Sequence, residues 1–342
     1  MSKEKNKFKV EFTLKQHTSI IHFQSEQVGA TLRATELKPK FDRFLKKYAF
    51  DGEIPQEFLI DKDKEALDYK VKITTNGNVE KNLPESSLFF ANNAVKNEKD
   101  KSYMLKVASI EIEFFSFKIE LLKNIQEKFE EFMLITNFGA RSTKGYGSFC
   151  KSTQNIEKVL KKYYPIVFKI NNPNISKWEE KVDTIHKLLK SGINFRSYSK
   201  SLLFQYMCTK NIRWEKRKIK EEFPSLAKGK EPVDCHIKQE YRYIRAMLGL
   251  AGINEYQGKN IVSISEKDKE IERFNSPIVY KIIDNKIYLL CDRSYETIMD
   301  KTFSFTFKGK SFDIQTPTKE EFDLYEFLKF VAKQENLISE VK

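Results

Sequence analysis

The 342-residue chain has only four cysteines, Cys150, Cys208, Cys235 and Cys291. They are too widely spaced for a zinc motif and too few for a disulfide framework at this length, so they read as reduced thiols. No stretch approaches the roughly twenty apolar residues of a membrane span, and no apolar run of signal length follows the charged start, Met1 to Lys9. A soluble, cytoplasmic protein is expected. Also missing are a carboxylate pair, a metal-ligand motif and an adjacent nucleophile and base, so neither a metal nor another cofactor is expected.

What the chain does have is positive charge and material for a core. Lys and Arg number 61 against 48 Asp and Glu, a formal net charge of +13 with a pI near 9.2. That balance favours an anionic partner, nucleic acid first, although a merely basic surface has the same composition. Hydrophobic residues make up 40%, enough for a sizeable core, and the length favours two domains.

From Phe138 to Phe149 the chain reads Phe-Gly-Ala-Arg-Ser-Thr-Lys-Gly-Tyr-Gly-Ser-Phe. Gly139, Gly145 and Gly147 permit positive φ and keep side chains away from a ligand, so backbone N–H groups can turn toward a phosphate. Arg141 and Lys144 supply charge, Ser142 a hydroxyl, and Tyr146 a ring able to lie against a base. A nucleotide-hydrolase phosphate loop is excluded, because that needs strand, loop, helix order and a different glycine spacing. A glycine-rich turn with no ligand is the alternative.

Taken in order, residues 8–21 alternate as a half-buried strand, with Phe8, Val10, Phe12 and Leu14 on one side and Lys9, Glu11, Thr13 and Lys15 on the other. His17 and His22 follow at its end. Pro39 is expected to open a helix with Phe41, Phe44, Leu45 and Tyr48 inside. Arg33, Lys38 and Lys40 cluster beside that start, either to hold an anion at the free N–H groups or as a solvated basic face. Residues 51–101 read as a polar insertion with a possible strand over 69–75, a turn at Asn76-Gly77-Asn78 and an Asn92-Asn93 pair. Lys106 to Phe117 alternates as a strand, and Leu122 to Leu134 is helical through Ile125, Phe129, Phe132 and Met133.

The second half repeats this order. Pro165 to Ile170 reads as a strand, and Ser176 to Leu189 as a helix capped by Ser176, with Trp178, Val182, Ile185 and Leu189 inside. The basic run Lys210 to Lys220 holds Arg213, Trp214 and Arg217, a mixture that suits stacking and phosphate pairing with single-stranded RNA, or a solvated helix face with Trp214 buried. Residues 240–250 read as a helix ending at Gly249, followed by a glycine-punctuated loop to Gly258. Arg273 to Ile283 enters a hairpin turned at Asp284-Asn285, and Thr318 to Lys333 is a last helix packed through Phe322, Leu324, Phe327, Leu328 and Val331. The order predicts an α+β protein of two tandem βαββαβ domains, 1–155 and 156–342, the 51–101 insertion replacing the middle hairpin of the first.

Four stretches resemble the CRISPR-associated RAMP superfamily, in particular the large two-domain RAMP subunits of type III-B (Cmr) effector complexes. Gly139, Arg141, Ser142, Lys144, Gly145, Tyr146 and Gly147 match the glycine-rich loop that follows the second helix of a ferredoxin-like domain there. Leu32, Arg33, Thr35, Leu37 and Lys38 match a run leading into the first helix, with Pro39 where that run has glycine. Arg245, Leu248, Gly249 and Leu250 match an arginine-bearing helix ending in Leu-Gly-Leu, and Arg273, Ser276, Pro277 and Ile278 match the start of a later strand. The resemblance implies tandem ferredoxin-like (RRM-like) RAMP domains. It also implies RNA binding without catalysis, beside other subunits of a ribonucleoprotein that uses guide RNA to capture target RNA in antiviral defence, near the guide's 3′ end. The expected RNA-binding set is Arg33, Lys38, Lys40, the loop residues from Gly139 to Gly147 named above, Arg213, Trp214 and Arg217. Two alternatives stay open: a metal-independent endoribonuclease that processes guide RNA, with His17 or His22 as base and Lys144 as oxyanion stabiliser, and a structural assembly subunit.

Overall fold

A computed structural model describes residues 7–22, 31–61, 64–82, 103–151, 155–194, 198–226, 240–250, 253–256 and 260–342. The Asn92-Asn93 pair, Cys235 and Gly258 lie outside them. The fold is α+β, in two compact units: residues up to Tyr163 together with Tyr280–Lys286, and Tyr164–Val279 with Ile287–Lys342.

In the first unit, alternation makes strand β1, Lys9–Gln16, whose Lys9, Glu11, Thr13 and Lys15 are exposed while Leu14 and Gln16 are buried. Helix α1, Ala34–Tyr48, begins before Pro39 rather than at it, with Arg33 at the N-cap position. Leu37 and Phe41, fully buried on one face, hold the turns on either side of the proline, which forgoes one ladder hydrogen bond. The helix start expected at Pro39 therefore lies at Ala34 instead, with Arg33 beside it. Strand β2, Lys70–Asn76, pairs along its whole length with β3, Ser109–Phe115, from Lys70 opposite Phe115 to Asn76 opposite Ser109. The stretch read as part of an insertion thus supplies a core strand. Its polar alternation reflects a sheet with one face open to water.

Helix α2, Ile119–Ile135, covers the sheet, and β4, Phe149–Cys150, pairs antiparallel with β1 after the glycine-rich loop. The four strands lie in the order β2-β3-β1-β4. Between sheet and helices the core is aromatic: the Phe129 ring lies 4.6 Å from Phe12, 4.7 Å from Phe114 and 5.2 Å from Phe41, and Phe41 lies 4.9 Å from Phe132. Tilted and edge contacts at these distances add to the area such rings bury.

After Tyr164 the chain runs β5, Ile166–Ile170, then α3, Trp178–Lys190, the hairpin β6, Ile278–Ile283, and β7, Lys286–Cys291, of which residues 280–286 count with the first unit, then α4, Leu324–Glu335, and β8, Ile338–Glu340. The order β6-β7-β5-β8 repeats that of the first sheet. The turn falls at Asp284-Asn285 as expected, with Asp284 at φ 49°. Ser176 does not cap α3: a short 3-10 turn, Ile175–Lys177, precedes the helix, and the Ser176 hydroxyl donates to Asn174 Oδ1. Helix α4 starts later than expected, where Asp323 Oδ1 accepts the Glu326 N–H at 2.9 Å. The helix expected over 240–250 is a two-residue strand, Tyr241–Arg242, and a 3-10 turn, Ile244–Leu248. A further antiparallel sheet is built from Ile253–Tyr256, Asn260–Glu266, Thr302–Phe307 and Lys310–Gln315. Cys150 and Cys291 are buried thiols, whereas Cys208 is disulfide-bonded, a pairing that spacing along the chain did not reveal.

Candidate nucleic-acid interface

The glycine-rich loop leaves α2 at Thr136 and returns at β4. Its base is closed by an antiparallel bridge between Asn137 and Ser148 and by the Phe138 N–H donating to Gly147 O at 3.0 Å. Further bonds fix the loop to the segment after β1, among them Gly147 N–H to Ser19 O at 2.8 Å, Ala140 N–H to Ile21 O at 2.6 Å and Thr18 Oγ1 to Gly145 O at 2.6 Å.

Two of the glycines are required by this packing rather than by a ligand. A Cβ on Gly147 would fall 1.9 Å from Phe138 O, and one on Gly139 would fall 2.4 Å from Ile21 O. Both sit at positive φ, 70° and 79°. Gly145, at φ 93°, ends a 3-10 turn, Ser142–Lys144, that begins after Arg141 in the left-handed region at φ 56°. Ala140 is exposed and Arg141, Ser142, Thr143 and Lys144 are half-buried, so residues 140–144 form the rim.

Tyr146 is buried at 2% exposure, which corrects the expectation that its ring stacks on a base. It packs inside the loop, with the Arg141 guanidinium 5.5 Å from its ring centroid. Lys144 Nζ lies 5.8 Å from the Tyr280 ring, and Arg141 Nη1 and Lys144 Nζ are both beneath the surface. The loop thus carries its two charges just under the rim.

Helix α1 meets the loop through Glu36, whose Oε1 accepts both the Gly139 N–H and Lys40 Nζ at 2.8 Å. Lys40 also donates to Asn137 O at 3.2 Å. Lys38 pairs with Asp42 at 2.9 Å and donates to Leu67 O at 2.8 Å. Neither lysine is an open cation awaiting a phosphate. The i,i+4 carboxylates, not weighed in the sequence reading, neutralise them and make them joints of the fold. Arg33 is half-buried beside the buried Thr31 and Leu32.

His17 is held inside the fold by hydrogen bonds at both ring nitrogens. Its side chain is 2% exposed, Nδ1 accepts the Asp284 N–H at 3.0 Å, and Nε2 lies 3.3 Å from Cys150 O, which it serves as donor. Burial, assisted by the Lys281 charge, lowers its pKa to about 4. His22 is buried at 8% exposure. Among the described residues no group of three or more His, Cys, Asp or Glu is placed to hold a metal.

In the basic run of the second unit Arg213, Arg217 and Lys218 are ion-paired, while Lys210 and Lys216 donate to backbone carbonyls. Trp214, 1% exposed, stacks on Phe204 at 4.4 Å, so it too is corrected from a base-stacking residue to a core one. Arg217 and Arg213 converge on Glu221 at 3.1 and 3.6 Å, and the Arg213 guanidinium lies 4.2 Å from the Tyr241 ring. The helix Glu215–Glu222 alternates cations with carboxylates one turn away, a pattern of solvated or paired faces. Beneath it Glu215 is fully buried, accepting from Arg245 Nε and from the Ile244 N–H at 3.1 Å. Lys190 and Lys216 lie near this pair, their pKa values lowered to about 8 and about 7 by burial first and by Arg245 second.

The sequence reading missed Glu36, Asn137, Ser148 and Lys281, which position the loop. Only Lys281 left a signal, as a lone cation in the apolar strand Ile278–Ile283.

Two family models match the chain. One, described as the Cmr1 N-terminal domain, covers residues 7–193, and the other, the Cmr1 C-terminal domain, covers residues 198–342. Among solved structures the chain is similar to the crystal structure of Cmr1 from Pyrococcus furiosus (apo form), at 11% identity and a TM-score of 0.46 over 98% of each chain. It is also similar to a chain in the cryo-EM structure of the Type III-B Cmr-beta bound to cognate target RNA, at 14% identity and a TM-score of 0.28 over 42% of this chain and 58% of that one. No curated protein matches. Among the described residues no helix is long and apolar enough to cross a membrane.

Proposed function

The chain belongs to the Cmr1 family, and on that footing we propose that it is an RNA-binding subunit of a type III-B CRISPR effector complex. Its two βαββαβ halves, each with the same strand order, are read as tandem ferredoxin-like domains of the RAMP kind. It works in the cytoplasm beside other subunits, contacting guide RNA near the 3′ end and helping to capture target RNA, without chemistry of its own.

The observation that carries this reading is the rim at residues 140–144. It holds two cations on a backbone already committed to positive φ at Arg141 and Gly145, fastened on several sides by hydrogen bonds. Such a loop loses little conformational entropy on meeting a phosphate backbone, and the charge beneath its rim favours that approach. Direct contact requires the two side chains to swing outward from the rings of Tyr146 and Tyr280.

Titration with guide-like single-stranded RNA at several salt concentrations tests the proposal. The logarithm of affinity should fall by roughly 0.7 per phosphate contacted for each logarithmic unit of salt. Arg141→Ala and Lys144→Ala should each weaken binding by about 1 to 2 kcal/mol with little change in thermal stability, and the RNA should stay intact with or without divalent metal. Affinity indifferent to salt and to both substitutions would overturn the reading. Cleavage lost in His17→Ala or His22→Ala would replace it with an endoribonuclease.

A further inference from the structure

Residues 280–286 stand late in the chain, inside the segment matched by the C-terminal family model, yet they belong to the first compact unit. Three side chains fasten them to the glycine-rich loop. Asn137 Nδ2 donates to Tyr280 O at 2.8 Å, and Ser148 Oγ donates to Ile282 O at 2.7 Å. These two carbonyls are two residues apart, so they point to the same edge of strand β6, and Asn137 and Ser148 are the pair that closes the base of the loop. The strand between the two carbonyls supplies Lys281, whose Nζ donates to Met133 O at 2.8 Å and to Thr136 O at 2.7 Å.

Those last two acceptors are carbonyls at the C-terminal end of α2, where the helix leaves orphan acceptors and the negative end of its dipole. Lys281 is 0% exposed, and among the described residues no carboxylate forms an ion pair with it, so burying it is costly compared with an apolar side chain of the same length. Its two hydrogen bonds do what methionine cannot: they fix the direction in which the chain leaves α2 and enters the loop. Asn137 continues the link inward, since the same Nδ2 also donates to Ser142 O at 2.8 Å, inside the rim.

We propose that residues 280–286 are a brace that sets the conformation of the glycine-rich loop, with Lys281 as its positioning residue, so that the C-terminal family segment controls the RNA affinity of a loop carried by the N-terminal one. The effect on affinity rests on the function proposed above; the effect on the loop does not.

The test uses the full chain and two readouts, amide hydrogen exchange across residues 136–149 and affinity for single-stranded RNA. Lys281→Met should raise exchange in the loop about tenfold or more while leaving β2 and β3 at parental rates, and should weaken RNA binding several-fold. Val279→Ala, in the same strand but outside these contacts, should lower stability without selective change in the loop. Should Lys281→Met fail to fold, Ser148→Ala and Asn137→Ala, each removing a bond to one edge carbonyl, should show the same selective loosening. Faster loop exchange at parental RNA affinity keeps the brace and overturns the loop as the RNA contact. Loop exchange unchanged in the folded variants overturns the brace.

Discussion

The sheets β2-β3-β1-β4 and β6-β7-β5-β8 share a strand order and little else. In the first, exposure alternates along β1, and Glu111 is exposed between the buried Ile110 and Ile112 of β3. In the second, Ile166, Val167 and Phe168 are all buried in β5, and so are the five residues Ile287 to Cys291 of β7. One sheet turns a polar face to water, and the other is largely buried on both faces. Topology says how a sheet is connected; the residue pattern says whether it has an outside.

Alanine substitution at neighbouring positions tests this contrast and has the largest expected effects. Leu289→Ala and Leu290→Ala point to opposite faces of β7 and should each cost about 2 to 5 kcal/mol in denaturant unfolding, since each leaves a cavity. In β3, Ile112→Ala should cost as much, whereas Glu111→Ala should cost less than about 0.5 kcal/mol. A Leu290→Ala variant as stable as the parent would mean that the second sheet has an open face after all.

Much of this was legible in the sequence. Period-two alternation located β1 and β3, and continuous apolar runs located β5 and the hairpin of β6 and β7, because burial leaves a direct trace in residue type. What failed was anything set by a particular partner, near or distant in sequence. Tyr146 and Trp214 are aromatic residues among cations, as in an RNA platform. Their burial depends on the loop closing over one and on Phe204 stacking against the other. Lys38 and Lys40 looked like free cations because Asp42 and Glu36 were not weighed as their partners. Pro39 looked like a helix start because local preference places proline there, while tertiary burial of Leu37 carried the helix past it.

The two units should also differ in response to pH, a smaller effect. His17 has a folded pKa near 4 against 6.5 when unfolded, so between those values the unfolded chain takes up a proton that the folded chain refuses. Stability is then lost as pH falls from 6.5 toward 4, and His17→Gln should flatten that slope. At the alkaline end, burial holds Lys281 near 8, Lys190 near 8 and Lys216 near 7, against 10.5 when unfolded. The unfolded chain keeps those protons longer, so stability rises with pH from about 7 to 10.5. Lys281→Met should remove part of the rise in the first unit, and Lys190→Met with Lys216→Met the part in the second. Denaturant midpoints measured across both ranges check the signs. A midpoint that rises on acidification would show His17 to be protonated in the fold.

The smallest effect expected is on the open face of the first sheet, and it bears directly on the RNA surface proposed above. In RRM-type sheets the open face stacks bases on aromatic side chains. Here that face carries Lys9, Glu11, Thr13 and Lys15 on β1, Glu111 and Glu113 on β3, and Lys70, Lys72 and Thr74 on β2. Among the described residues of these three strands the one ring on that face, Phe115, is half-buried and lies 5.1 Å from Phe117 at the end of the strand. Acidic residues lie among the lysines, and Lys9 pairs with Glu113 at 2.7 Å. An exposed pair of this kind contributes about 0 to 1 kcal/mol, and such a face has little net field to draw a phosphate chain. Lys9→Ala and Lys72→Ala should therefore leave stability within about 1 kcal/mol of the parent and RNA affinity within about twofold. Arg141→Ala, at the rim of the loop, should lose about tenfold. If Lys72→Ala instead weakened binding as much as Arg141→Ala, the sheet face and not the loop would be the RNA surface, and the sheet with an outside would owe that outside to its ligand.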